Sequence, residues 1–109
     1  MGIKKINKTS QTIKFEIEKD GQVVGRAYLY LINNDLHEGP YGLLEDVFVD
    51  QTYRGQGLGN ELLNEVIAEA KAQKCYKLIG TSRTSRAEVH AWYEKLGFEK
   101  YGFEFRMDL

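Results

Sequence analysis

The stretch that most constrains this chain covers residues 43–66, LLEDVFVDQTYRGQGLGNELLNEV. A β-type run over residues 43–49 passes through an acidic, polar turn into Arg54, Gly55, Gln56, Gly57, Leu58 and Gly59. Apolar residues then recur at helical spacing: Leu58, Leu62, Leu63, Val66, Ile67 and Ala70. A strand, a glycine-rich turn and a helix in that order leave backbone N–H groups without acceptors at the helix start. Glycines let an anion come close to them. The stretch therefore predicts a phosphate-binding device, and the residue spacing decides which kind.

Composition narrows the setting. With 109 residues, 42% of them apolar, the chain predicts one domain with a real core. Its formal net charge of −1, with acids and bases interspersed, gives no electrostatic footprint for nucleic acid or an anionic membrane. No apolar run approaches the roughly 20 residues that span a bilayer. The first residues, MGIKKINKTS, lack the apolar segment of a signal peptide. The single cysteine, Cys75, excludes an internal disulfide framework and fits a reducing cytoplasm, the expected location. No basic group or histidine neighbours it in sequence, so it is read as a packing residue. Two histidines and one cysteine, well separated, point away from a metal site.

Taken in order, residues 1–10 are weakly patterned, either a short edge strand or a frayed end. Ile13, Phe15 and Ile17 alternate with Lys14, Glu16 and Glu18, the period of a half-buried strand. Asp20-Gly21 predicts a two-residue hairpin turn into a strand from Gln22 to about Ile32. A polar loop with His37 leads to Pro40 and the strand over residues 43–49. Glu45 and Asp46 are adjacent in that run, so alternation sends them to opposite faces, and at least one should meet the body of the protein or a cleft.

A helix is expected from about Gln56 to Lys74, then a short strand over residues 76–81, hence a parallel pair joined by a right-handed crossover. Ser85 and Glu88 have capping-box spacing for a helix from Arg86 to Leu96, ended by Gly97. From Phe98 the pattern turns to strand again, with Phe103, Phe105, Met107 and Leu109 alternating with polar residues and Tyr101-Gly102 marking a bulge or turn. The fold class is α+β, with a mixed sheet, a parallel βαβ core and two main helices.

Three glycine-rich phosphate sites compete. A nucleoside-triphosphate loop needs Lys-Ser/Thr after its glycines, and none follows. A dinucleotide fingerprint needs a third glycine where Asn60 stands. The pattern Arg/Gln-x-x-Gly-x-Gly/Ala is met by Arg54, Gly57 and Gly59. Here the chain resembles the Gcn5-related N-acetyltransferase (GNAT) family. The likeness rests on two separated motifs, LEDVFVDQTYRGQGLGNELL and HAWYEKLGF, the latter over residues 90–98.

The resemblance implies a mostly antiparallel mixed sheet with a splayed parallel pair, and acetyl-CoA as co-substrate. Amides of Gly55, Gln56, Gly57, Leu58, Gly59 and Asn60, with Arg54, would hold the CoA pyrophosphate. Val47, Phe48 and Val49 would offer backbone groups to the pantetheine arm. An amine must lose a proton to attack a thioester, and Glu45 is the first candidate base, with a salt-bridged carboxylate as the alternative and Asp46 second. Tyr93 matches the tyrosine that protonates the departing thiolate in many members. Phenol and thiol pKa values of ~10 and ~8.5 suit that transfer. A plain core tyrosine is the alternative, and His90 is read as packing or as a residue that supports the site from behind.

The chain departs from the family in two places. Arg86 stands where many members carry an asparagine near the cofactor, and it is a candidate for CoA phosphate as well as ordinary surface charge. The two helices that wall the acceptor pocket of fuller members are missing from the residues before the motif strand. The acceptor site is therefore expected to be open or completed by a second subunit, and a homodimer is expected. The reading is an N-acetyltransferase acting by direct attack on a small-molecule amine or a protein amino group. Its alternatives are a non-catalytic acyl-CoA-binding or sensing module and a module that pairs through its β edges.

Overall fold

The computed structural model describes residues 1–109. Four strands and two helices follow the expected α+β order through α2: β1 Gln11–Lys19, β2 Gln22–Ile32, β3 Tyr41–Val49, α1 Leu58–Ala72, β4 Leu78–Gly80 and α2 Ala87–Leu96. The chain divides into two compact units, Met1–Ile79 and Gly80–Leu109.

In the first unit the sheet runs β1-β2-β3-β4. β1 and β2 form the hairpin that Asp20-Gly21 predicts, with φ of 51° and 77° at those two residues. β2 and β3 are antiparallel, and β3 and β4 are parallel, joined through α1. Ala27, Leu29 and Leu31 of β2 and Leu44 of β3 are buried, as are Leu58, Leu62, Leu63, Val66 and Ala70 of α1. The period of these positions puts them on one stripe of the helix, and α1 packs on the sheet with it. Each leucine or valine among them contributes about 1.5–3 kcal/mol on burial. α1 ends without a glycine: Lys74 takes φ 60°, and the Cys75 amide donates to the Ala70 carbonyl.

The parallel pair forms at close quarters. The Gly42 amide donates to the Lys77 carbonyl at 2.9 Å. A Cβ on Gly42 would stand 2.9 Å from Leu78 Cδ1 and 3.0 Å from Leu29 Cδ1, so a larger residue there would have to push these leucine methyl groups aside. β4 has three residues against nine in β3, so parallel pairing from Gly42 leaves the last residues of β3 beyond β4's end.

In the second unit α2 ends at Gly97, φ 106°, whose amide donates to Glu94; the Phe98 amide donates to Tyr93. Three expectations need correction. Residues 99–109 form no strand and no bulge or turn between strands, and their apolar side chains are exposed. A strand needs a ladder of partners, and alternation alone does not supply one. The Ser85 capping box does not form: Arg86 is the N-cap of α2, without a side-chain cap, and its Nε pairs with Glu88 Oε1 at 2.9 Å. Glu88 is thereby drawn to a guanidinium instead of to the Ser85 amide. The helix expected from Gln56 begins at Leu58, because Gly57 holds a left-handed conformation. Residues 1–10 take no regular structure.

Candidate active site

The site is built where β3 meets α1. β3 is not a regular strand: Tyr28 of β2 faces Glu45 and Arg26 faces Phe48, leaving Asp46 and Val47 opposite Ala27 alone. Asp46 absorbs the extra residue at φ 53°, which makes this a β-bulge. The bulge reverses the alternation. Leu44 is buried before it, and Val47 and Val49 are half-buried after it, while Asp46 and Phe48 are exposed. Glu45 and Phe48 consequently share the face that carries Tyr28 and Arg26, away from buried Ala27. Glu45 is half-buried and Asp46 exposed, so Glu45 is the more enclosed of the two carboxylates, although it lies on the face opposite the core.

That face is a ladder of side chains. Lys14, Tyr28 and Glu45 form one cross-strand row, and Glu16, Arg26 and Phe48 the next. The Arg26 guanidinium lies 4.9 Å from the Phe48 ring centre, and the Tyr28 and Tyr30 rings stack at 6.2 Å. Lys14 pairs with Glu16 at 2.8 Å. That hydrogen bond, with the charges of Glu16 and Tyr28, raises the Lys14 pKa above its ordinary value.

Beyond Val49 the chain turns sharply. Asp50 Oδ1 accepts the Thr52 amide at 2.9 Å and caps a short 3-10 helix, Gln51–Tyr53. Arg54 Nε donates to the Val49 carbonyl at 3.0 Å and ties the turn back to the strand. This brace has no sequence signature beyond the arginine itself, while the Asp-x-Thr spacing of the cap was readable. Gly55 and Gly57 hold φ of 84° and 79°, the left-handed region that favours glycine. A Cβ on either would meet nothing within 4 Å, so the turn faces open space. Leu58, Gly59 and Asn60 open α1 and form its first turn, at the positive end of the helix dipole. The Glu61 amide closes a helical bond, donating to the Gly57 carbonyl at 3.1 Å. Open glycine positions, first-turn amides and the positive end of the helix dipole together fit a diphosphate.

Glu45, Val47, Phe48, Val49 and residues 54–60 thus lie in sequence along strand end, turn and helix start. Val47, Phe48 and Val49 follow the bulge, past the reach of β4. Tyr93 and Arg86 belong to the second unit. There the half-buried Tyr93 ring lies 5.2 Å from Phe98 and 5.8 Å from Trp92, on α2. His90 Nε2 is 2.8 Å from the Arg83 carbonyl, within hydrogen-bond distance. Burial raises the Cys75 pKa. No three His, Cys, Asp or Glu side chains gather as a metal site, and no helix is long and apolar enough to cross a membrane. A cavity of about 630 Å³, lined by His37, Pro40, Gln73, Lys74 and Tyr76, opens beside Pro40, at the Tyr41 end of β3.

Comparison with known proteins converges on one family. The chain is 37% identical over 90 residues to a glucosamine 6-phosphate N-acetyltransferase of Trypanosoma brucei brucei, covering 82% of this chain and 59% of that protein. It is 33% identical over 84 residues to an aminoglycoside N(6′)-acetyltransferase type 1 of Stenotrophomonas maltophilia, covering 74% of this chain and 55% of that one. The chain thus spans little more than half the length of these relatives. Among solved structures, a putative acetyltransferase from Agrobacterium tumefaciens superposes with a TM-score of 0.84 at 27% identity, over 90% of this chain and 69% of that one. An acetyltransferase of Trypanosoma brucei gives 0.78 at 33% identity, over 90% of this chain and 69% of that one. The profile of the Acetyltransferase (GNAT) family matches residues 4–98. The chain belongs to the GNAT acetyltransferase family.

Proposed function

We propose that residues 1–109 form a single acetyltransferase domain that transfers an acetyl group from acetyl-CoA to a primary amine. GNAT acetyltransferases take acetyl-CoA as co-substrate. The observation that carries the reading is the pair of left-handed glycines, open to solvent, that feed the first turn of α1 directly after a bulged strand. In this reading Arg54 and the amides of Gly55, Gln56, Gly57, Leu58, Gly59 and Asn60 hold the pyrophosphate. Charge-assisted N–H bonds to it are roughly twice as strong as neutral ones. Backbone groups of Val47, Phe48 and Val49 hold the pantetheine arm, and Arg86 is a further phosphate ligand.

Acetyl-CoA supplies an acyl carbon activated as a thioester. Glu45 takes the proton that the amine sheds as its nitrogen bonds to that carbon, directly or through a water. Tyr93 donates its phenolic proton to the sulfur as the C–S bond breaks. A proton relay of this kind contributes typically 10²–10⁴-fold. The named relatives suggest an amino sugar or aminoglycoside as acceptor. A homodimer in a reducing cytoplasm completes the reading, given the exposed apolar side chains past α2 and the free thiol of Cys75.

The test is calorimetric titration with acetyl-CoA followed by thiol-release assays on glucosamine 6-phosphate, aminoglycosides, polyamines and peptide N-termini. Binding with turnover on at least one amine is expected. Binding without turnover on any of them would leave an acyl-CoA-binding module in place of an enzyme. With an acceptor in hand, Tyr93→Phe should lower kcat by 10-fold or more with little change in acetyl-CoA affinity. Unchanged kcat at every pH removes Tyr93 as the acid.

A further inference from the structure

Arg26 is a half-buried residue whose guanidinium no carboxylate holds. Its cross-strand neighbour Glu16 is taken by Lys14 at 2.8 Å. The guanidinium lies instead over the Phe48 ring, 4.9 Å from its centre. A cation–π contact uses the charge of an arginine and none of its five N–H donors. Drawing a charge partly out of water with its donors unused is costly, and an anion that accepts from the guanidinium fork offsets that cost.

The place of Arg26 on the sheet decides whose anion this is. Glu45, Tyr28, Arg26 and Phe48 share one face, away from buried Ala27. Glu45 stands across from Tyr28, and Arg26 is the next residue of β2 on that face. At the rise of a strand, the Glu45 row and the Arg26 row are about 7 Å apart. A small molecule whose amine reaches Glu45 thus extends its far side, one ring's width away, toward the Arg26 donors, beside the Tyr28 ring. Lys14 and Glu16 cancel each other as a pair, so the face presents one negative group and one positive group. That is the complement of an acceptor with one ammonium and one anion.

We propose that Arg26 determines acceptor specificity by binding an anionic group, phosphate or carboxylate, that the acceptor carries about one ring's width from its amine. The proposal rests on the acetyltransferase reading above, with Glu45 as base, and narrows its acceptor. An amino sugar bearing a phosphate meets the requirement. An aminoglycoside, cationic at several positions and without an anion, does not. An α-amino acid has both groups but holds them one carbon apart, too close to reach both residues. Phe48 keeps the guanidinium in place, and the planar fork then receives two oxygens of the anion side by side.

Initial rates on glucosamine 6-phosphate and on glucosamine, with acetyl-CoA saturating, test it on the unmodified protein. The phosphorylated sugar should be favoured in kcat/KM by roughly tenfold or more, and a ratio near one overturns the proposal. Arg26→Gln should raise the KM for glucosamine 6-phosphate roughly 10- to 100-fold with a much smaller change in kcat. Arg26→Lys, which keeps the charge without the fork, should recover part of that loss. A merely structural arginine would lower the rates on both sugars alike, and that result overturns the proposal. So does a loss of acetyl-CoA affinity in Arg26→Gln, since the guanidinium would then serve the donor. Calorimetric titration of each sugar into the unmodified protein saturated with CoA requires neither turnover nor a variant. Preferential binding of the phosphorylated sugar with no acetylation of either keeps the anion site and removes the acetyltransferase reading. Equal binding of the two, or none, removes the anion site and leaves that reading standing wherever another amine is acetylated.

Discussion

Gly57 separates the backbone demands of the phosphate turn from its chemistry. It is the N-cap of α1 at φ 79° and ψ 6°, and a Cβ there meets nothing of the protein within 4 Å. Gly57→Ala therefore costs stability only through backbone conformation, about 1–2 kcal/mol for a left-handed non-glycine residue. At roughly 4–8 °C per kcal/mol for a domain near this size, the melting midpoint should fall by several degrees. Gly57→Asn should fall less, because asparagine tolerates this region far better than alanine. For acetyl-CoA affinity the order reverses. Both side chains enter the open space over the amides, and asparagine fills more of it. Calorimetry should show at least a tenfold loss, about 1.4 kcal/mol, for the Asn variant and a smaller loss for Ala. Thermal melts and titrations on the same three proteins give both orders. An Asn variant that binds within twofold of the parent would refute the cradle at this turn.

Further expectations come from packing and charge. Gly42→Ala places a Cβ 2.9 Å from Leu78 Cδ1 and 3.0 Å from Leu29 Cδ1, an overpacking cost of about 1–3 kcal/mol in urea unfolding. Adding Leu78→Ala should return part of it, and full additivity of the two losses would contradict the geometry. A hydrogen bond from Arg86 holds the Glu88 carboxyl below its usual pKa. The folded state thus binds the proton more weakly than the unfolded one. The associated stabilisation is present above the ordinary value of about 4.3 and is lost as pH falls through the lower folded value. Arg86→Gln should move the Glu88 titration in carbon NMR upward, and an unmoved midpoint would sever the link. Cys75, its pKa raised by burial, should react with a disulfide reagent at neutral pH more slowly in the folded protein than in urea. Equal rates would deny that burial governs it.

Much of this architecture was legible because local chemistry determined it. Asp20-Gly21 announced its turn because both positions need positive φ, and the stripe from Leu58 to Ala70 announced a helix with one buried face. What escaped depended on partners distant in sequence. Nothing in LLEDVFV marks a bulge, since Asp46 takes its left-handed conformation from the register that β2 imposes on β3. Ser85 and Glu88 had the spacing of a reciprocal cap, yet Arg86 claims the glutamate. Residues 101–109 had the alternation of a strand but no ladder to join within one chain. At the site, the glycine turn was readable from spacing, whereas the Arg54 tie to Val49 required coordinates. Tyr93 and Arg86 entered through family likeness alone.

The bulge in β3 makes this short strand behave as two words read in different frames. Delete Asp46, and the ladder with β2 becomes regular, a change that should strengthen the sheet. The same deletion would keep Val47 and Val49 on the side of buried Ala27 and Phe48 beside Arg26, and would remove the bend and added twist that a bulge gives the end of β3. A library selected for heat tolerance alone would accept such a chain, and one selected for acetyl transfer would discard it. The irregular residue is thus a place where evolution for robustness and evolution for chemistry pull in opposite directions.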